Sequence, residues 1–542
     1  MSKSLPRHAL AIALIVACQS AFAGTPLRVE LPAGSTSASG RLLVSLQPAA
    51  EAEKAAKDGK VTQVEVSPFG RSNGALIGMD VPGLDAGKEF VVDTETMAYP
   101  SGLAALPAGD YYIQAVLDTA RDNNYGGSSD DISSAPRKIT LGKGGDLPLM
   151  MLDQREPAPG DYWDLPKGMP EAMRTQILAA KPHVKLLDII SPKLSAFWGR
   201  PIHMRGWVVL PPGYEKDAKS RYPIAYSTHG FGGNLRNSLN SAASASASME
   251  KGDTPPMIWV FLDESSPTGT HEFADSVNNG PWGAALTEEL IPQVDRDYRT
   301  DGKSTSRFVT GHSSGGWASL WLQVRYPKVF GGGWPTAPDP SDFHDFTGAD
   351  LYAPNANVYH HADGTPIPLV RDHAKVIASF EQFAKLEEVT GPVGGQMASF
   401  EWVFSPRGPD GRPMQMFDRR TGKVDPTVVA YWRDHYDIAH RITTQWNTLK
   451  PDLDGKVHLI VGTADTFYLD GAARKLEVAM KSVGAKTDFR FVPDRTHGDL
   501  YAIGGDRRAL ARVIAWEMYR VARPGVKLPA DLPKVPVETA AK

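Results

Sequence analysis

The stretch that most constrains the fold of this chain is residues 307–322, RFVTGHSSGGWASLWL. Phe308, Val309 and Thr310 are aromatic or β-branched and read as a short buried strand. Gly311-His312-Ser313-Ser314-Gly315 then fits G-x-S-x-G, and Trp317, Leu320 and Trp321 follow at helical spacing. A strand, a sharp turn holding a serine and a helix make up a nucleophile elbow. Glycines let the two backbone segments approach closely, and the turn lifts Ser313 to its tip. A Gly/Ser turn leading into a helix has the same local pattern, so a catalytic role needs a base, an acid and an oxyanion hole from elsewhere in the chain.

The chain has 542 residues, enough for two or three domains. With 42% apolar residues, 22% charged and a formal charge of -4, it has no basic footprint for nucleic acid. Lys3 and Arg7 precede an apolar run from Ala9 to Ala17, and Ala21-Phe22-Ala23 is an A-x-A cleavage site. Residues 1–23 therefore read as a signal peptide, and the protein as exported, periplasmic or secreted. The only cysteine, Cys18, lies inside this segment, so cleavage leaves no thiol, disulfide or cysteine metal site. Ile15-Val16-Ala17-Cys18 also resembles a lipobox, which makes lipid anchoring through Cys18 the alternative. No later apolar run approaches membrane-spanning length.

Residues 24–153 read as all-β. Leu27, Val29 and Leu31 alternate with polar neighbours, as do Leu42, Val44 and Leu46, then Val61, Val64 and Val66, and a further strand covers 111–117. Short strands between Gly/Pro/Asn turns suggest an immunoglobulin-like sandwich serving as an accessory domain. The polar loop 121–131 lacks EF-hand spacing and reads as solvated. Residues 154–183 read as a linker with a short helix over 170–180. From Val184 strands alternate with helices. Residues 184–190 and 204–210 read as an opening hairpin, followed by strands at 224–227, 257–262, 308–310, 457–461 and 489–492. That rhythm predicts a mostly parallel sheet covered by helices, the α/β class, over 184–523. Residues 336–450 break the rhythm and read as a cap insertion, with helices around 370–388 and 427–448. The tail 524–542 reads as extended.

Asp465 leaves the end of the strand 457–461, and His497 follows the strand 489–492, so both fall on the ligand-binding edge of such a sheet. The order Ser313, Asp465, His497 is the one found in α/β-hydrolases. A serine hydroxyl needs an imidazole to take its proton, and the imidazole needs a carboxylate to fix its tautomer. Asp470 is a rival acid. His312 adjoins the nucleophile but points away from it in an elbow. The strand 224–227 runs into His229-Gly230-Phe231-Gly232-Gly233, whose glycines expose N–H groups. The oxyanion donors are read as the N–H groups of Phe231 and Ser314, with Gly232 as the alternative to Phe231. No second ligand at zinc spacing accompanies His229, so no metal and no cofactor is expected.

The segments LPPGY (210–214), RYPIAYSTHGFGG (221–233), LTEELIPQVDRDYR (286–299), RFVTGHSSGGWASLWLQVRYPKVF (307–330) and GTADTFYLDG (462–471) resemble the esterase D / enterochelin-esterase-like group of α/β-hydrolases. That group includes S-formylglutathione hydrolases, feruloyl and acetyl-xylan esterases, siderophore esterases and mycolyltransferases. The resemblance covers about 184–520, leaving out most of 336–450, and implies Ser313 as nucleophile, Asp465 as acid and His497 as base. Ser314 stands where many members carry Met or Gln, and the insertion is unusually long.

The sequence thus points to an exported serine esterase acting on carboxylic esters, carbohydrate-linked or aromatic (feruloyl or acetyl). Trp282, Phe467 and Tyr468 are the expected substrate-binding aromatics. The alternatives are an acyltransferase or amide hydrolase on the same triad, or a binding protein on a hydrolase scaffold.

Overall fold

The computed structural model describes residues 26–538, apart from 57–58, 67–73, 122–129, 143–146, 156–159 and 167. The leader read at 1–23, with Cys18, and most of the 121–131 loop lie outside the described residues.

The organising element is an eight-stranded sheet. Its strands are β1 (Val184–Ile190), β2 (His203–Val209), β3 (Ile224–Thr228), β4 (Ile258–Leu262), β5 (Arg307–His312), β6 (Gly332–Thr336), β7 (His458–Gly462) and β8 (Asp488–Val492). Their spatial order is 1-2-4-3-5-6-7-8, and only β2 runs against the rest. Alternation along the strands divides the core into two. Trp207, Val209, Ala225, Trp259 and Phe308 face one apolar cluster. Val208, Ile224, Tyr226, Ile258, Val260 and Val309 face the other, which is closed by Leu286, Leu290, Ala318 and Leu322. A sheet buried on both faces needs apolar residues at consecutive positions, and these strands have them.

β6 is a strand that sequence patterning does not reveal. Gly332-Gly333-Trp334-Pro335-Thr336 reads locally as a loop, yet it pairs with β5 along its length. Gly332 is required there because the Trp334 ring lies 2.7 Å from where a Cβ would stand. The opening hairpin contains a helix between its strands, Pro192–Trp198, capped by Ser191. The linker helix is Glu171–Ala180.

The insertion is more regular than expected. The region read as one helix around 370–388 is instead a hairpin, Pro368–Asp372 with Lys375–Ser379, followed by helix α1 (Phe380–Thr390). Helix α2 (Gln396–Phe404) follows, then α3 (Pro426–Tyr436) and α4 (Ile438–Leu453). The change from strand to helix falls at Ser379, whose hydroxyl and Gln382 form a capping box.

The N-terminal residues form a three-stranded and a seven-stranded sheet that share one apolar core. Leu42, Val44 and Leu46 of the strand Ala38–Pro48 point into it, as the alternation predicts. The strand expected around Val61, Val64 and Val66 is absent: Val64 N–H donates to the Gln114 side chain at 2.8 Å instead of to a neighbouring strand. Ala75–Leu84 is the strand that pairs with Ala38–Pro48. The outer face of this sheet meets the insertion through Leu43, Leu76, Leu386 and Val389. There Arg41 Nε and Nη2 donate to Val389 O at 3.2 and 2.7 Å, and Nη2 also to Glu388 O at 3.4 Å. A guanidinium at the C-terminal end of α1 satisfies carbonyls that the helix leaves open. Among the described residues no helix is long and apolar enough to cross a membrane.

Candidate active site

Ser313 stands between β5 and the helix Ser314–Arg325 at φ 62 and ψ −125, a strained conformation for a residue with a Cβ. Its neighbours hold that strain. Ser313 N–H donates to Thr336 O at 3.1 Å, and Ser313 O accepts from Trp317 N–H at 2.9 Å and Asp339 N–H at 3.3 Å. The elbow closes only because Gly311 and Gly315 lack side chains: a Cβ on Gly311 would lie 2.1 Å from Gly315 O. The loop after β3 packs as closely, since a Cβ on Gly230 would stand 3.0 Å from Ser313 Cβ. Phe231 is the next residue of this loop. Ser314 opens its helix, so its N–H has no carbonyl one turn back.

The acid and the imidazole arrive from the ends of β7 and β8. Asp465 is fully buried, and its Oδ2 pairs with His497 Nδ1 at 2.8 Å. Asp465 Oδ1 accepts from the N–H groups of Phe467 at 2.9 Å and Leu469 at 3.3 Å. Burial pushes this carboxyl up, but the His497 charge and the hydrogen bonds outweigh it and hold it below the ordinary value. An ionised carboxylate can only accept, so Nδ1 carries the proton and Nε2 is left free to act as a base. The imidazole lies 4.4 Å, ring to ring, from His312, the residue before Ser313, and meets the Phe467 ring edge-on at 4.9 Å. No hydrogen bond within the described residues joins Ser313 Oγ to His497; such contacts often close only around substrate.

The rival groups are engaged elsewhere. Asp470 binds Arg371 Nη2 at 2.8 Å. His312 Nδ1 is 3.1 Å from Thr336 Oγ1, and burial, reinforced by the His497 charge, pushes it down to about 3. His229 is held by Asp263 at 3.0 Å. Among the described residues no group of three or more His, Cys, Asp or Glu could hold a metal ion.

The three expected aromatics separate. Phe467 lines the cavity at Ser313. Tyr468 lies outside that lining, with the Arg371 guanidinium 4.1 Å over its ring. Trp282 is buried, stacked on His271 at 3.6 Å, and its indole N–H donates to Asn279 O at 2.9 Å. It is a core residue here, opening the short helix Trp282–Ala285 and packing against His271.

Sequence reasoning missed three buried acids. Ser314 Oγ donates to Asp339 Oδ2 at 2.6 Å, and Asp339 lines the cavity with Ser313. Burial pushes its carboxyl up to about 6, against the Ser314 hydrogen bond. Glu264 and Glu272, on the segment after β4, are fully buried; burial first and the Asp339 charge second push both well above the ordinary range. The one signal for Asp339 was its place between Pro338 and Pro340, just past a strand that itself went unread.

A mostly parallel sheet buried on both faces, with a sharp serine turn between its central strand and the following helix, is the arrangement of the α/β-hydrolase fold. Residues 198–343 match the model of the Esterase family, described as "Putative esterase". The matched segment holds Phe231, Ser313 and Ser314, while Asp465 and His497 lie beyond it. Over 131 residues the chain is 29% identical to an endo-1,4-beta-xylanase/feruloyl esterase of Xylanibacter ruminicola, covering 23% of this chain and 18% of that relative. The chain thus spans under a fifth of the length of that curated relative. Similar solved structures include a ferulic acid esterase, with TM-score 0.39 and 14% identity over 62% of this chain and 98% of that one. Another is an S-formylglutathione hydrolase from Agrobacterium tumefaciens, with TM-score 0.38 and 14% identity over 62% of this chain and 95% of that one.

Proposed function

We propose that this protein is a serine esterase that cleaves carboxylic esters through an acyl-Ser313 intermediate. The observation that carries this is the buried Asp465–His497 pair at 2.8 Å, set beside the strained elbow of Ser313. In the first half-reaction Ser313 Oγ bonds to the ester carbonyl carbon while its proton passes to His497 Nε2. The N–H groups of Ser314 and Phe231 take the oxyanion. Collapse breaks the bond to the alcohol oxygen, which leaves with the proton from His497. In the second half a water gives its proton to His497 and attacks the acyl carbon. The acid departs and the proton returns to Ser313. Asp465 stays ionised throughout and stabilises the imidazolium.

The substrate we propose is an ester on a carbohydrate, with a feruloyl or acetyl group as the acyl part; the similarity to a feruloyl esterase supports it. We read residues 24–153 as an immunoglobulin-type accessory module, supported by two sheets on one core, and 336–450 as a cap over the site. Export is proposed from the basic-then-apolar N-terminus and its A-x-A site. The test of the mechanism is Ser313→Ala assayed on p-nitrophenyl acetate. We expect kcat/KM to fall by at least about 10³-fold with the fold intact; activity near that of the unaltered protein would refute it.

A further inference from the structure

The insertion also fills the space beside the nucleophile. The cavity at Ser313 has a volume of about 30 Å³. One water needs roughly 10–15 Å³ by this kind of measure, whereas pockets for drug-sized ligands run to about 300–1,000 Å³. Its bulky apolar walls are Leu369, Phe383, Met397 and Phe400 from the insertion, with Phe467 and Leu469 from the segment after β7, and the polar Asp339, Thr347 and Gln396 complete the lining with Pro340. His497 and Phe231 are not among the lining residues.

These walls are braced. Phe383, Met397 and Phe400 are all buried. Phe400 meets Phe346 edge-on at 5.6 Å and stacks on Phe404 at 5.9 Å. Helix α1, which carries Phe383, is fixed at its start by the Ser379–Gln382 capping box and at its end by Arg41. Swinging it aside would break contacts at both ends and open the apolar seam between Leu386, Val389 and the N-terminal sheet.

The direction of the chemistry says which part of the substrate meets these walls. The leaving oxygen must face His497 to receive its proton, so the alcohol part extends on the imidazole side. The acyl substituent extends from the carbonyl carbon on the other side, into a cavity that Ser313 lines and His497 does not. We propose that the acyl group of the natural substrate is of acetyl size, and that Phe383, Met397 and Phe400 set this limit. A feruloyl group, an aromatic ring on a three-carbon chain, has no room there. The proposal rests on the esterase reading and chooses between the acyl groups that reading leaves open.

The experiment compares kcat/KM for p-nitrophenyl acetate, butyrate, hexanoate and octanoate, and for methyl ferulate, using the full chain. The intact protein should favour acetate, losing on the order of tenfold or more at each step up the series. Methyl ferulate should not turn over. Phe400→Ala and Met397→Ala should each raise the hexanoate-to-acetate ratio by about tenfold, a gain that partial unfolding cannot produce. The proposal is overturned if octanoate or methyl ferulate is cleaved as well as acetate, or if neither variant moves the ratio. Inactivity on every ester would instead refute the esterase reading, and this proposal with it.

Discussion

Replacing Asp465 by Asn tests the site through a change of one atom. The carboxylate accepts three hydrogen bonds: Oδ2 from His497 at 2.8 Å, and Oδ1 from the N–H groups of Phe467 at 2.9 Å and Leu469 at 3.3 Å. Asn can satisfy the two backbone donors only by placing its carbonyl where Oδ1 stands. Its NH₂ then faces His497 Nδ1, and two donors oppose each other. The imidazole relieves this by moving its proton to Nε2, where it can no longer take the proton of Ser313. The loss of the base and of the charge that stabilises imidazolium is worth about 10³–10⁴ in kcat, or roughly 4–5.5 kcal/mol of barrier. KM should change little, because Asp465 is fully buried and out of reach of a bound ester. The assay is steady-state hydrolysis of p-nitrophenyl acetate, with circular dichroism to confirm the fold. A folded Asp465→Asn protein within tenfold of the unaltered rate would refute the assignment.

Further outcomes follow from the neighbours of the triad. Asp470→Asn should stay within about fivefold of the unaltered rate, because Asp470 binds Arg371 and not His497; a loss as large as that for Asp465→Asn would transfer the role. Asp339, raised to about 6, holds its proton more tightly folded than unfolded. Its contribution therefore falls as pH rises from the ordinary carboxylate range through about 6, at about 1.4 kcal/mol per pH unit. Asp339→Asn still accepts from Ser314, so it should stabilise the fold by roughly 1–3 kcal/mol at about pH 7 and hardly at all below about pH 4. Urea unfolding at both values checks this, and an equal effect at both would contradict it.

What the sequence made legible was whatever carries a local pattern. The strands around Ser313, Asp465 and His497 are short apolar runs, and each candidate residue stands just past one, so the topology brings the acid and the imidazole together. β6 carries no such pattern, since Gly332, Gly333 and Pro335 are loop residues by composition and only the flanking strands make them a strand. Losing β6 hid Asp339, which emerges from its end. Glu264 and Glu272 were unreadable for another reason: burial gives them their character, and burial is set by the whole fold. Trp282 shows the converse, an aromatic beside a loop whose packing partner, His271, lies eleven residues back and was not suspected.

If the fold makes one alcohol side chain reactive, that side chain can be trapped. Treating the intact protein with a fluorophosphonate probe and mapping the adduct by peptide mass spectrometry measures this directly. We expect a single adduct, on Ser313, absent from Ser313→Ala and strongly slowed in His497→Ala. A folded protein that stays unlabelled, or that is labelled at another residue, would contradict it.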